Sequence, residues 1–436
     1  MDQKHRETTM PQPNLIAAFK ERGLIEQISD EAGLAKLLDG GCVPFYTGYD
    51  PTAKSLQIGN LFAILTMRRL QLAGHKPVIL VGGATGMIGD PSGKSTDRVQ
   101  LSAETVNFNV ECQKKQFAKL LDFDCGKNSA IIVNNYDWLG KFSFIEFLRT
   151  VGIRFRLGEM LAKESVKKRL ASENGLSFTE FCYQMLQSHD FLHLNKEYGV
   201  KLQVGGGDQW GNITAGIDYI RKCSGEQAFG MVVPLVTDGN GKKFGKSEGG
   251  TIYLDPEVTS PYQMYQYLVN SDDASVIRYL RYFTFLTMEE IADLEKQTRE
   301  APEQRLAQKT LAAELVKTVH GAEGLAAAEN ATRIFFGAKI ENLRDSELRG
   351  IFADVPSVNI AKSDLEKGIG LIDLLAQTPL FASKSEARRS LQQNGVTLNN
   401  EKINDLEKKV TPADLASEST LVLRKGKKNY CLVICG

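Results

Sequence analysis

The chain has 436 residues, 42% of them apolar, enough for real cores and for roughly three domains at about 150 residues each. Lysine plus arginine number 53, as do aspartate plus glutamate, so no global field draws the chain to nucleic acid or to a membrane, and any basic surface must be local. Seven scattered cysteines offer no CxxC pair and no companion histidine spacing for zinc, the opening "MDQKHRETTMPQPNL" lacks the apolar core of a signal peptide, and nowhere do about 18 apolar residues run together; reduced thiols, a cytoplasmic location, no protein-bound metal and no membrane are expected.

From residue 41 the pattern alternates between strand and helix. "CVPFYTGY" reads as a strand, "NLFAILTMRRLQLAG" as a helix, and "PVILVGG", "AIIVNN" and "KLQVGGG" as further strands. Such alternation predicts a parallel sheet flanked by helices, with ligands at the carboxyl ends of its strands. Beyond "SPYQMYQYLV" the strand signals fade, and residues 261–345 read as a helical domain. A polar segment, 346–368, reads as a linker. The tail, 369–436, begins with two helical stretches and ends in "STLVLRKGKKNYCLVI", a predicted hairpin with a basic turn.

Three glycine-rich loops follow strands. "GGATGMIGDPSGKS" comes close to two phosphate motifs and satisfies neither: the dinucleotide fingerprint needs a glycine where Val81 stands, and the phosphate loop needs one where Ile88 stands. A dehydrogenase and a P-loop NTPase are therefore unsupported, and a tight strand-to-helix turn stays open beside a ligand loop. "DGNGKKFGKSEGG" sets Lys243, Lys246 and Ser247 around Gly245, which suits either a polyphosphate clamp or a solvated charged turn. In "LQVGGGDQWGN" three glycines let backbone approach a ligand while Asp208 and Gln209 can bond a ribose or an amine. Asp90 and Asp190 are candidates for buried acids fixing a polar group of a substrate, or for cap and turn residues.

Together, "YTGYDPTAKSLQIGN", "LVGGATGMIGDPSGKS", "FTEFCYQMLQSHDF", "LQVGGGDQWGNIT", "KKFGKSEGGTIYLDP" and "GKKNYCLVI" resemble bacterial-type tyrosyl-tRNA synthetases, from about residue 40 to the end. The resemblance implies an α/β class I fold: a tail and helices over 1–40, a Rossmann-like catalytic domain over 41–260 with an inserted dimerisation segment, a helical anticodon-side domain, the linker, and an S4-like RNA-binding domain over 369–436. It implies a ligase that activates L-tyrosine with ATP and Mg2+ and charges tRNA(Tyr), working as a homodimer with Phe178 at the subunit interface. Residue by residue, it assigns the substrate phenol to Tyr46 and Asp190, its ammonium group to Asp90, Tyr183 and Gln187, and adds Gln203 to the tyrosine pocket. The ATP side falls to Gly48, Asp50, Thr52, Gly59, Gly206, Asp208 and Gln209. Lys243, Lys246 and Ser247 become a mobile loop with Lys94 and Arg98 opposite, and Arg221, Lys222, Arg388 and Arg389 contact tRNA. The rival readings are a catalytically weakened RNA-binding homologue, which has no reason to keep these side chains, and a tryptophanyl-type enzyme, for whose indole a Tyr and Asp pair is wrong.

One motif departs from the family. "SLQIGN" carries Gln57 and Asn60 where two histidines normally stand. A carboxamide nitrogen can occupy the place of either imidazole nitrogen and still donate, so both are expected to serve as neutral donors to ATP phosphates. The cationic form is what they give up, and a charge-assisted bond is worth about 1.5–3 kcal/mol against about 1 for a neutral one.

Overall fold

The computed structural model describes residues 14–92, 101–173, 175–239, 241–247, 250–340, 343–352, 355–426 and 429–436. Strands β1 (Gln27–Ile28), β2 (Pro44–Tyr49), β3 (Lys76–Val81), β4 (Ile131–Asn134), β5 (Leu202–Gly206) and β6 (Phe229–Val233) form one sheet in the order β1-β6-β5-β2-β3-β4. All neighbours run parallel except β1 against β6. β3 is buried from Pro77 to Val81 and β6 throughout, as expected of strands covered on both faces. From β2 the chain builds outward through β3 and β4, then returns to the other side of β2 with β5 and β6. The order thus reverses between β2 and β5, where open α/β sheets leave a crevice beyond their carboxyl ends. Tyr46 and Gln203 face each other across that seam.

Helix α1 (Ile58–Leu72) returns from β2 and is buried on most sides, including Ile58, Leu61, Phe62, Ile64 and Leu65. Its entry is braced by backbone: Ile58 N–H donates to Ile252 O, and Leu254 N–H to Leu56 O. Helix α2 (Phe178–Tyr198) starts in a capping box between Ser177 and Glu180 and stops at Gly199, whose φ of 66° is left-handed. Helix α3 (Trp210–Ser224) follows β5 through one 3-10 turn. The charged loop after β6 forms a two-stranded ribbon of β7 (Lys246–Ser247) and β8 (Gly250–Thr251).

The chain divides into two compact units, one running to Thr259 and including Val269–Val319, the other holding Ser260–Leu268 and His320–Gly436. The stretch 261–345, expected as one helical domain, is therefore shared, and packing explains why. In the first unit α4 (Asp273–Phe283) places Tyr282 in a 4.6 Å stack on Phe62 and sets Phe283 and Tyr279 against Phe244. Helix α5 (Leu306–Phe335) is non-helical at Gly321, beside the division. Its late residues Ala331 and Ile334 are buried in the second unit with Leu348, Ile351, Phe352 and Leu432.

The second unit holds a five-stranded sheet of β9 (Ser357–Ile360), β11 (Val396–Leu398), β12 (Glu401–Lys402), β14 (Thr420–Lys425) and β15 (Asn429–Cys435), while β10 (Ile369–Gly370) pairs with β13 (Lys409–Val410). The predicted hairpin is β14–β15. The expected linker 346–368 is instead structured: Leu348 and Ile351 are core, and β9 pairs parallel with β15 at the sheet edge. Four residues with one buried side chain are too short a strand to be read from alternation. Asp345 ties this segment down by accepting from the Ser417 hydroxyl at 2.5 Å and from Ser419 N–H at 3.0 Å, bonds that hold its carboxyl well below the usual range.

Gly241 and Gly245 both have left-handed φ, at 79° and 88°, but only at Gly245 would a Cβ strike a neighbour, Ile58 Cγ2 at 2.5 Å. Gly245→Ala is expected to lower the unfolding free energy by about 1–3 kcal/mol, and Gly241→Ala by about 1 kcal/mol or less. Urea unfolding of both variants checks this; equal losses would assign the whole effect to backbone conformation.

Candidate active site

Beyond the carboxyl ends of β2 and β5 lies a cleft of about 410 Å³, within the range of small-ligand sites. Of the residues assigned to tyrosine, Tyr46, Asp90, Tyr183, Gln187, Asp190 and Gln203 all line it. So do Gly48, Asp50, Thr52, Gly59, Gly206, Asp208 and Gln209 from the nucleotide set, and both Gln57 and Asn60. Residues spread over 164 positions of sequence thus share one cleft because the sheet brings β2, β5, α1, α2 and α3 to one edge.

At the closed end stands a buried pair. Tyr46 is fully buried on β2 with its ring 5.2 Å from Phe191, and its hydroxyl has no hydrogen-bond partner among the described residues. Burial, together with the Asp190 carboxylate, pushes the phenol well above its ordinary pKa. Asp190, on α2, is buried too; Oδ1 accepts from Trp138 Nε1 at 2.7 Å and Oδ2 from Asn135 Nδ2 at 3.0 Å. Burial nonetheless wins over both donors and raises its pKa to about 7. Gln203 Oε1, next to Tyr46 across the seam, is likewise buried without a partner among the described residues. Unsatisfied buried polar atoms around a cleft mark where a polar ligand belongs.

A second network sits nearer the mouth. Asp90 accepts from Ser92 N–H at 2.9 Å and from Gln209 Nε2 at 2.5 Å. Gln187 Nε2 donates to Gln209 Oε1 at 3.1 Å, and Asn212 Nδ2 to Gln187 Oε1 at 3.0 Å. Tyr183 donates to Asp50 at 3.1 Å, and Thr85 donates to the same Asp50 carboxylate at 3.0 Å. Burial raises Asp208, assisted by Asp90, while Lys243 opposes.

The glycine-rich turn after β3 has a steric reason. A Cβ at Gly82 would lie 2.4 Å from Asp50 Oδ1, and one at Gly83 would lie 2.2 Å from Asn134 Oδ1. Gly82 thus makes room for cleft side chains, and Gly83 for the Asn134 carboxamide that accepts from the Gly83 N–H at 3.2 Å. At the start of α1, Asn60 Oδ1 accepts from Gln57 N–H at 2.9 Å. The carboxamide oxygen is thereby committed to the helix cap, leaving the nitrogen as its donor.

Other predicted residues lie elsewhere. Lys243 and Lys246 are exposed on the loop and do not line the cleft; Ser247 contributes backbone to β7. Lys94 and Arg98 fall outside the described residues. Arg221 and Lys222 border a separate concavity of about 480 Å³ with Arg154 and Lys163, each bonded to Asp218 at 2.6 Å. Arg388 and Arg389 are exposed in the second unit, on the helix Lys384–Gln392. Among the described residues no group of three or more His, Cys, Asp or Glu gathers to hold a metal. Sequence reasoning missed Thr85, Asn135, Trp138 and Asn212. The signal for one of them was present: Asn135, in "IIVNN", follows the carboxyl end of a parallel strand, where polar side chains face the ligand crevice.

The chain is similar to known proteins over nearly its whole length. The family "tRNA synthetases class I (W and Y)" matches residues 40–337, and "Tyrosine--tRNA ligase SYY-like C-terminal domain" matches 347–433. A tyrosine--tRNA ligase of Rhodopirellula baltica is 48% identical over 99% of this chain and 99% of its own length. One from Escherichia coli is 47% identical over 97% and 99% respectively. The crystal structure of a C-terminally truncated mitochondrial tyrosyl-tRNA synthetase from Coccidioides posadasii superposes with a TM-score of 0.63 at 33% identity, covering 72% of this chain and 90% of that one. On these grounds the chain belongs to the tyrosine–tRNA ligases, within the class I aminoacyl-tRNA synthetases.

Proposed function

We propose that the cleft activates tyrosine with ATP in two adjoining compartments, and the observation that carries this is the buried, unpartnered Tyr46 hydroxyl beside the Asp190 carboxylate. A phenol hydroxyl can donate to Asp190 and accept from Tyr46, filling both needs at once. Phenylalanine would leave both groups buried and unpaired, and an indole places its single N–H elsewhere; rejection by a missing hydroxyl is a rule for which this enzyme family is itself the standing example. The substrate ammonium meets Asp90, Tyr183 and Gln187, since a buried cation needs a carboxylate. Its carboxylate then faces the nucleotide side, formed by Gly48, Asp50, Thr52, Gly206, Asp208 and Gln209.

The reaction needs no protein nucleophile. A carboxylate oxygen of tyrosine attacks the α-phosphorus of ATP in line, the bond to the β-phosphate oxygen breaks, and pyrophosphate leaves. A hydroxyl of the tRNA terminal ribose then attacks the activated carbonyl, and AMP leaves. Catalysis consists of positioning and charge stabilisation. The N-terminus of α1 favours phosphate oxygens, and the Gln57 and Asn60 nitrogens add donors there. A Cβ at Gly59 would meet only Phe244 O at 3.6 Å, an ordinary contact, so packing does not demand glycine and close approach of the nucleotide explains it. Lys243 and Lys246 close from the loop late in the reaction, and Mg2+ arrives with the ATP phosphates.

The same reading assigns Arg221 and Lys222 to the acceptor arm of tRNA, and Arg388 and Arg389 of the S4-like unit to its body, in a cytoplasmic enzyme with reduced thiols. Phe144, Ile145, Leu157 and Phe178 are 62–72% exposed, more apolar surface than a lone chain leaves in one region of sequence. A second copy of this chain is the proposed cover.

Pyrophosphate exchange with tyrosine, phenylalanine and tryptophan in parallel tests the assignment; exchange should appear with tyrosine alone. Asp190→Asn should abolish most of it. The same substitution has a pH signature: the unfolded chain releases the Asp190 proton near pH 4, whereas the folded one holds it to about 7, so this group makes stability fall as pH rises between those values. Thermal unfolding from pH 4 to 8 should show that slope reduced in Asp190→Asn. Lys243→Ala and Lys246→Ala should each slow adenylate formation with tyrosine affinity nearly unchanged, because a late-closing clamp acts on the transition state. Weakened tyrosine binding at an unchanged maximal rate would give the loop another role. Restoring histidines, by Gln57→His with Asn60→His, should speed adenylate formation by roughly tenfold, about 1.4 kcal/mol. Single-turnover kinetics reads this, and a fall would mean the surroundings are adapted to carboxamides.

A further inference from the structure

Asn212 is buried in the first turn of α3, and its side-chain nitrogen touches four oxygens of the cleft: Gln187 Oε1 at 3.0 Å, Gln209 Oε1 at 3.4 Å, and Asp90 Oδ1 and Ser92 Oγ at 3.5 Å. Two N–H bonds cannot serve four acceptors equally, and the shortest contact selects Gln187.

The direction of every bond in this network follows from its end. A carboxylate only accepts, so Gln209 must turn its nitrogen toward Asp90, as the 2.5 Å contact has it. The Gln209 oxygen then points the other way and requires a donor, which is Gln187 Nε2 at 3.1 Å. That leaves the Gln187 oxygen requiring a donor in turn, and Asn212 supplies it at 3.0 Å. The relay runs one way, from Asn212 through Gln187 and Gln209 to Asp90. Reversing any single amide would set two donors or two acceptors face to face, which a buried site disfavours.

From this we infer that Asn212 is a positioning residue for the substrate's ammonium group, an inference that rests on the tyrosine-binding reading above. By donating to Gln187, Asn212 holds that side chain with its oxygen presented, and the second lone pair of that oxygen accepts from the ammonium. The incoming cation displaces Gln209 Nε2 from Asp90, and the released Gln209 donor becomes available to the substrate carboxylate beside it. Without the Asn212 donor, Gln187 is free to turn its N–H2 toward the cation and repel it.

Two tyrosine fragments separate this role from a merely structural one: tyramine keeps the ammonium and lacks the carboxylate, and 3-(4-hydroxyphenyl)propionate keeps the carboxylate and lacks the ammonium. Their affinities for the full chain are measured by calorimetry with Asn212→Leu, which keeps the branched shape without the hydrogen-bonding groups, and Asn212→Ala, which removes both. Tyramine and tyrosine should bind roughly tenfold more weakly to both variants, as expected for one mispaired hydrogen bond to a charge, while 3-(4-hydroxyphenyl)propionate stays within about twofold. The KM for tyrosine should rise with kcat and the KM for ATP little changed. Equal losses for both fragments, or none for tyramine, would overturn the inference. Asp90→Asn measured with the same pair distinguishes the two levels: if it leaves tyramine binding intact, the assignment of the ammonium site fails; if it weakens tyramine and the Asn212 variants do not, only the role of Asn212 fails.

Discussion

The pairing of β2 with β5 is the constraint on which the rest of the molecule depends. Only there does the order of the parallel sheet reverse, so only there do helices leave to opposite sides and open a crevice. Tyr46 and Gln203 are register partners across that seam, and both carry buried polar atoms without partners among the described residues. The sheet is covered by apolar side chains on either side, which makes polar groups at this seam costly unless something completes them. The fold thus places unsatisfied polar groups at the seam, where the phenol of the proposed substrate would complete them.

The cleft separates two kinds of polar site. The Tyr46 and Asp190 end is enclosed, and its carboxylate is held by Trp138 and Asn135, with the His193 ring stacked 4.2 Å from Trp138 behind it. It is buried and under-satisfied, which suits discrimination. The Asp90 end is satisfied internally by amides that can exchange partners, which suits a group that must be admitted and oriented. The proposed phenol and ammonium sites thus differ in how far their polar groups are satisfied before a ligand binds.

Gln57 and Asn60 show how a departure from a family pattern can be absorbed. Asn60 caps α1 with its oxygen and keeps its nitrogen at the cleft, so one side chain serves both helix stability and the proposed phosphate contact. What two carboxamides cannot supply is formal charge. The exposed lysines 243 and 246 sit on a loop whose base is pinned against Ile58 by Gly245, next to the same helix entry, so cationic side chains lie on the loop rather than in the first turn of the helix.

Much of this was legible in the residues alone. Alternating apolar and glycine-punctuated segments specify β2 to β5 because parallel strands buried on both faces are written as unbroken apolar runs, and six ordered motifs identify the ligase family because each couples a backbone geometry to a chemical group. The hairpin at the end is equally local. Tertiary structure decided what depends on distant partners. It divided residues 261–345 between two units, since aromatic contacts of Phe62 and Phe244 claim one part and the Phe352 cluster claims the other. It turned a presumed linker into an edge strand, because β9 is too short to announce itself without β15. It brought Asn135, Trp138 and Asn212 to carboxylates that stand 55, 52 and 122 residues away along the chain. Types of chemistry are inscribed in single residues and their neighbours; which donor meets which acceptor is set by burial and by the closure of long loops, and that is a property of the folded chain.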